Sequence, residues 1–251
     1  MVCAMWAGEW VVRWFEEIDS TNSYLLERAR LGDPEGLVAV ADHQTAGRGR
    51  LDRRWESPPG ANLLASVLLR PDCNADDLHL CTSALALATL EACAEVARVE
   101  AQLKWPNDLL AGPRKLAGIL AEADFSTRPP AVVAGIGLNV SWPGPAEVGG
   151  TCLDDLRSSG RPVDRKVLLD RLLAALALRR PLLDEAAGRR ELAEELRARC
   201  ATLGQEVQVT LPAEEFSGRA VAIDDAGRLL VDTGGGRRTV TAGDVVHLRT
   251  L

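Results

Sequence analysis

The apolar residues of this chain change their spacing twice, and that change limits the folds open to it more than any single motif does. In the first part, strand-like runs lie at Trp10 to Phe15, Leu37 to Ala41, Leu63 to Leu69, Val99 to Lys104, Leu116 to Ala121 and Ala131 to Val140, with one long Ala/Leu helix around Leu80 to Val96. Asp19-Ser20-Thr21-Asn22 places helix N-cap residues before the periodic Leu25, Leu26 and Ala29, so the first strand feeds a capped helix. From Arg165 to Cys200 the period turns helical, with Leu168, Leu169, Leu172, Leu173 and Leu176 on one face and Leu192 and Leu196 beyond a break at Pro181. After Leu203-Gly204 the texture becomes short alternating strands: Glu206 to Leu211, Gly218 to Ile223, Arg228 to Val231, Arg238 to Thr241 and Val245 to Leu248. Asp-Asp-x-Gly and Gly-Gly-Gly turns lie among them. The expectation is an α+β fold, a central mixed β-sheet with flanking helices over residues 1–202, followed by a small β-barrel over 203–251.

Composition narrows the function classes. With 251 residues, 47% hydrophobic and 26% charged, the chain has the make-up of a globular protein. A net charge of -7 lacks the electrostatic footprint of a nucleic-acid binder. The six cysteines (Cys3, Cys73, Cys81, Cys93, Cys152, Cys200) form no Cys-x-x-Cys pair and have no His at zinc-ligand spacing, so they read as small buried hydrophobes in a reducing compartment. Met1 to Trp10 has no basic stretch leading into an apolar segment, so no signal sequence is expected, and no run is expected to reach the roughly 18 apolar residues of a membrane span. A cytoplasmic protein is expected.

Four segments concentrate chemistry. Gln44-Thr45-Ala46-Gly47-Arg48-Gly49-Arg50-Leu51-Asp52-Arg53-Arg54-Trp55 sets four arginines within seven positions of an otherwise acidic protein. Glycines permit tight backbone there, so that guanidinium forks and amides can converge on phosphate or carboxylate oxygens, although a solvated surface loop has the same composition. Lys104-Trp105-Pro106-Asn107-Asp108 ends a strand in a turn, where lysine and carboxylate serve either a phosphate and Mg²⁺ or an exposed salt bridge with an Asx turn. In Arg114-Lys115-Leu116-Ala117-Gly118-Ile119, Lys115 enters a strand whose small neighbours let a ligand approach the backbone. Gly135-Ile136-Gly137-Leu138-Asn139 lacks the third glycine of a dinucleotide fingerprint and fits a bulge or close strand packing equally well.

Taken in order, Ser20-Thr21-Asn22, Gln44 with Gly47-Arg48-Gly49-Arg50, Lys104 to Asp108, Lys115 to Ile119 and Gly135 to Asn139 resemble the biotin protein ligases. The C-terminal β-domain fits too, so the resemblance covers nearly the whole chain. It implies a catalytic domain of the class II synthetase type with an SH3-like barrel, and ATP-dependent conversion of biotin to biotinyl-5′-AMP, with transfer to a lysine of a biotin carboxyl carrier protein domain. It further implies that Ser20, Thr21, Asn22 and Gln44 hydrogen-bond biotin, that the Gly47 to Arg50 loop folds over the adenylate, and that Lys115 contacts the activated carboxyl. On the same basis Arg48 and Arg50 face the phosphates. Lys104, Asn107 and Asp108 lie near the nucleotide, with Asp108 near Mg²⁺, and Gly118, Gly135 and Asn139 line the pocket. Trp55 is the candidate for stacking on adenine.

Asp52 departs from the second Gly-Arg pair of many family members, and the winged-helix DNA-binding domain of the repressor-type ligases is not expected. A homodimer stays open, as do a lipoate ligase or octanoyl transferase of the same fold and a non-catalytic biotin-sensing module. His43, His79 and His247 have no motif partner, so no histidine base is expected.

Overall fold

A computed structural model describes residues 8–51, 53–157, 160–241 and 243–248; Cys3 and Asp52 lie outside them. The order is β1 (Val11–Ile18), α1 (Thr21–Arg30), β2 (Leu37–Gln44), β3 (Leu63–Leu69), α2 (Leu80–Ala92), β4 (Gln102–Lys104), β5 (Asp108–Ala111), β6 (Arg114–Asp124) and β7 (Ala131–Leu138). Then come α3 (Leu153–Leu156), α4 (Arg165–Arg179), α5 (Ala186–Ala198) and β8 (Glu206–Thr210), β9 (Glu215–Ile223), β10 (Leu229–Asp232), β11 (Arg237–Val240) and β12 (Asp244–His247). The first seven strands form one sheet in the order β1-β2-β3-β7-β6-β5-β4. Its β1/β2 pair is parallel and its other pairs are antiparallel.

Strand alternation assigns each face of this sheet its own cover. Val38 and Val40 of β2, Leu63, Ala65, Val67 and Leu69 of β3, and Val132, Ala134, Ile136 and Leu138 of β7 join the large core under α2, α4 and α5. The intervening Leu37, Ala39, Leu68, Ala131 and Val133 pack against Leu25 and Ala29 of α1. Ser20 caps α1 by accepting from the Ser23 amide. Arg180, 4% exposed, pairs with Glu35 and Asp184 and ties the end of α4 to the loop before β2.

Three sequence expectations change in the structure. The run Val99 to Lys104 is strand only from Gln102, because α2 continues through a π-helical turn, Cys93–Ala97, and closes at Arg98 in the left-handed region (φ 58°). Asp108 begins a further strand after the Pro106-Asn107 turn, so the turn is the tip of a β4/β5 hairpin. The segment Ala75–Ala97 does reach the length and apolarity of a membrane span, yet 72% of its most apolar window is buried inside this fold. Leu and Ala around the whole circumference of α2 follow from its position between the sheet and the outer helices.

The last five strands form an antiparallel sheet in the order β11-β10-β9-β8-β12. Residues 241–243 alone connect its two edge strands. Four inter-strand spacings in a flat sheet come to about 19 Å, whereas the few peptide units of that link reach about 14 Å, so the sheet must curl into a barrel. The barrel docks on the first domain through polar contacts: Trp105 Nε1 donates to Gly227 O at 2.9 Å, and Arg197 Nε donates to Ile223 O at 2.7 Å. His247 Nε2 lies 3.0 Å from Thr202 Oγ1.

Burial, and secondarily the nearby Lys104 ammonium, lower the pKa of His247. The folded protein therefore holds this imidazole neutral while the unfolded chain takes a proton as pH falls through about 6.5. Its contribution to stability is complete above that pH and is lost as pH falls toward the folded-state value. In urea titrations between pH 7 and 5, His247→Gln is expected to show a shallower loss of stability than wild type; identical slopes would exclude His247 as the source.

Candidate functional site

The site is built on the α1 face of the main sheet, where two adjacent cross-strand rows have glycine at their centre. Ser66, Gly135 and Leu120 form one row, and Leu64, Gly137 and Gly118 the next. Where Leu68, Ala131 and Val133 fill this face further along, the glycines leave a depression. Two side chains lie in it. A Cβ on Gly135 would stand 2.1 Å from Asn22 Oδ1, and one on Gly137 would stand 2.2 Å from Trp55 Cε2. Gly118 meets the same indole, with a Cβ position 2.9 Å from Trp55 Cζ3.

Above this floor lies a cavity of about 520 Å³. At one end α1 begins, and its cap residues make a compact polar network. Thr21 N donates to Gln44 Oε1 at 2.8 Å, Thr21 Oγ1 lies 2.6 Å from Ser66 Oγ, and Ser66 donates to Asn22 Oδ1 at 2.7 Å. Asn22 Nδ2 donates in turn to Leu120 O at 3.1 Å and Glu122 at 2.8 Å. Thr21, Asn22 and Ser66 are all at most 5% exposed, so these bonds form away from water.

The other end is cationic. The arginine segment folds back on itself: Trp55 N donates to Gly47 O, Arg48 bridges to Arg54, and Gly49 N donates to Arg53 O at 2.7 Å. Leu51 at its tip has φ 55°. Each arginine is tethered separately. Arg48 donates to Glu122 at 2.9 Å, Arg50 to Asn107 Oδ1 at 3.2 Å and Arg54 to Thr45 O at 3.3 Å, while Arg53 pairs with Asp244 of the barrel. Lys115 Nζ lies 2.6 Å from Asp108 Oδ1 and 5.5 Å from the centre of the Trp55 ring. Burial lowers the pKa of Lys104, against the pull of Asp108, and also that of Arg50. Cations desolvated in this way act more strongly on an incoming anion than the same groups in water.

Of the residues singled out in the sequence, Ser20, Thr21, Asn22, Gln44, Arg48, Gly49, Arg50, Trp55, Lys104, Asn107, Asp108, Lys115, Gly118, Gly135 and Asn139 line this one cavity. Gly47 does not; a Cβ there would stand 2.4 Å from Trp55 O, so its small size lets the hairpin close. Asn139 is 3% exposed and its amide is spent on Pro143 O, Thr151 O and Asn62, which makes it a brace for the cavity wall around Pro143 to Val148. Arg48 turns toward Glu122 and Ser23. Sequence reading missed Ser66, Gly137, Glu122 and the barrel residues Asp244, Val245 and Val246. Only Gly137 carried a signal, as the second glycine of its motif. The three histidines bond to Ser57 O, Asp76 O and Thr202, and none lines the cavity. The five described cysteines are free thiols.

A sheet with a glycine floor, one polar end and one cationic end defines a site for a small molecule with a polar head and an anionic tail. The chain belongs to the biotin/lipoate A/B protein ligase family, whose family model matches residues 14–139, and the biotin protein ligase C-terminal domain matches 202–248. It is 42% identical to the biotin–[acetyl-CoA-carboxylase] ligase of Mycobacterium tuberculosis, over 92% of this chain and 86% of that protein. With the enzyme of the same name from Paracoccus denitrificans it shares 34% identity over 90% of this chain and 96% of the other. The biotin protein ligase of Aquifex aeolicus, solved in complex with biotin and ATP, superposes with a TM-score of 0.79 at 30% identity, covering 95% of this chain and 99% of that one.

The floor makes a direct expectation. Gly137→Ala leaves no room for the Trp55 indole, which should be expelled toward solvent. Tryptophan emission should shift to longer wavelength, and the shift should vanish in a Trp55→Phe background; an unshifted spectrum in Gly137→Ala would refute the packing.

Proposed function

We propose that the protein activates biotin with ATP to form biotinyl-5′-AMP and then transfers the biotinyl group to a lysine of a biotin carboxyl carrier protein domain. The observation that carries this reading is the division of one cavity into a hydrogen-bonding end at Thr21, Asn22, Gln44 and Ser66 and a cationic end at Arg50, Lys104 and Lys115. Biotin has a ureido head that donates and accepts hydrogen bonds and a carboxylate tail, which match those two ends in order. The names of the Mycobacterium tuberculosis and Paracoccus denitrificans relatives support the reading, as does the biotin and ATP complex of the Aquifex aeolicus enzyme.

A carboxylate is a poor acyl donor because its oxygen leaves badly. Attack of that oxygen on the α-phosphorus of ATP forms a carboxyl–phosphate bond, breaks the bond to the bridging oxygen and releases pyrophosphate. Negative charge accumulates on the phosphoryl oxygens during the attack, and cations fixed beforehand stabilise it without reorganisation. Lys115, oriented by Asp108 and the Trp55 face, and Arg50, held by Asn107, are placed for this role. Trp55 Nε1 is buried and has no hydrogen-bond partner among the described residues, which fits a donor kept for a ligand oxygen. In the second step the acceptor lysine amine attacks the mixed anhydride, AMP departs, and an amide forms.

Mg²⁺ needs one or two carboxylates and takes its other ligands from phosphate and water. Asp108 fits that demand, with one oxygen already shared with Lys115, and no group of three or more His, Cys, Asp or Glu side chains suited to a metal lies among the described residues. The ion would be held by Asp108 and would supply charge neutralisation at the phosphates. The first domain, residues 1–202, then carries most of the chemistry and 203–251 completes the wall.

The test is mass spectrometry of a carrier domain incubated with the protein, Mg-ATP and either biotin or lipoate, with free adenylates measured in parallel. Labelling by biotin is expected; transfer of lipoate instead, or biotin binding without adenylate, would overturn the proposal. Lys115→Ala is expected to lower biotin-dependent pyrophosphate exchange on the order of 100-fold. A near-normal exchange rate would remove Lys115 from the charge-stabilising set.

A further inference from the structure

The cavity wall beside Lys115 is a loop with a tied neck. Residues 143–150 follow β7 and return to β6, where Thr151 N donates to Lys115 O at 2.8 Å and Gly150 pairs with Lys115 in a parallel bridge. At the neck, Gly150 lies so close to Pro143 O that a Cβ there would overlap it. Pro143, Pro145, Glu147 and Val148 of this loop line the cavity. A segment whose ends meet in this way is an Ω-loop, and its placement is set at the neck. Two asparagine amides tie that neck. Asn139 Nδ2 donates to Pro143 O at 3.1 Å and to Thr151 O at 3.0 Å, one on each side of it. Both carbonyls only accept, so the Asn139 amide cannot turn over, and its Oδ1 faces Asn62. Asn62 Oδ1 accepts from Val140 N at 2.9 Å and Trp142 N at 3.3 Å, which fixes its amide as well and leaves Asn62 Nδ2 to meet Asn139 Oδ1 at 3.3 Å. Asn62 is fully buried, and its carbonyl accepts from Arg165, which is paired with Asp42 at 2.9 Å.

We infer that Asn62 is a positioning residue for the nucleotide: acting through Asn139, it holds the 143–150 loop at the cationic end of the cavity, so its loss weakens ATP binding and spares biotin. The inference rests on the biotin and ATP reading. Asn62 is absent from the cavity lining, so it touches neither substrate itself. The two ends of the cavity are supported separately. Thr21, Asn22, Gln44 and Ser66 bond to one another and to β6, with no bond to Asn62, Asn139 or the loop among the described residues. The loop instead hangs on the backbone of Lys115, whose ammonium faces Asp108 at the cationic end. Loosening the neck therefore moves the wall around the nucleotide and leaves the groups at the polar end where they are.

Asn62→Asp tests this with no change of shape. A carboxylate keeps the acceptor for Val140 N and Trp142 N but sets an oxygen against Asn139 Oδ1 in place of the donor. In biotin-dependent pyrophosphate exchange the KM for ATP is expected to rise by about tenfold, the order of one lost net hydrogen bond. The calorimetric Kd for biotin and the exchange rate at saturating ATP should stay near wild type. Asn62→Ser, neutral and smaller, gives the same reading if the buried carboxylate prevents folding. Asn139→Ala should raise the KM for ATP by itself, and combining it with Asn62→Ser should add little, because the two side chains act as one unit. An unchanged KM for ATP, equal losses for ATP and biotin, or additive effects in the double variant would overturn the inference while leaving the functional reading intact. A wild-type protein that exchanges no pyrophosphate in the presence of biotin would overturn that reading and this inference with it.

Discussion

The glycines at the centre of two neighbouring rows of the main sheet are the constraint on which the site depends. A sheet face covered by a helix is ordinarily filled by one side chain per residue pair, as it is here beside Leu68, Ala131 and Val133. Gly118, Gly135 and Gly137 interrupt that filling only where α1 begins. The space they leave sets the depth at which Asn22 and Trp55 rest, and hence the positions of the polar network and of Lys115. Because this floor is made of hydrogen-bonded backbone, it is stiff, and the groups standing on it keep their geometry without help from a ligand.

Charge is distributed by a second rule. The chain is acidic overall, yet six cations and four carboxylates border the cavity: Arg48, Arg50, Arg53, Arg54, Lys104 and Lys115 against Glu56, Asp108, Glu147 and Asp244. Arg50 and Arg54 are each held by a neutral oxygen, Asn107 Oδ1 and Thr45 O, so an anion can take that partner's place at modest cost. Full burial with paired carboxylates would have locked them, as Arg180 is locked by Glu35 and Asp184.

The spacing of apolar residues revealed six strands of the main sheet, the helices α1, α2, α4 and α5 and all five barrel strands, because each carries either a periodic or an unbroken apolar run. What it did not reveal was local exchange. The β5 strand is short and follows a proline turn, so its four residues carry no period to read. The shortened β4 reflects the extra π-helical turn after α2, which depends on packing across the sheet. Within the site, Arg48, Arg50 and Lys115 were legible because charge in an apolar or glycine-rich setting is conspicuous. Ser66 and Glu122 were not, since a serine within an apolar strand and a glutamate near a strand end have no distinguishing spacing; only the register of β3, β6 and β7 brings them beside Asn22. Asn139 was found for its place in the glycine motif, and the structure shows its amide turned inward to the wall.

The barrel reaches the cavity through Asp244, Val245 and Val246, and Arg53 of the arginine hairpin bonds to the first of these. The floor, the polar end and the lysines are all complete once β7 and the loop after it have been made, whereas this last wall arrives only after α4, α5 and four barrel strands. During synthesis the chain thus passes through a long interval in which the binding groups exist but the enclosure does not. An adenylate formed in that interval would meet water, and the late strand gives the protein a structural reason to remain idle until β12 has been made.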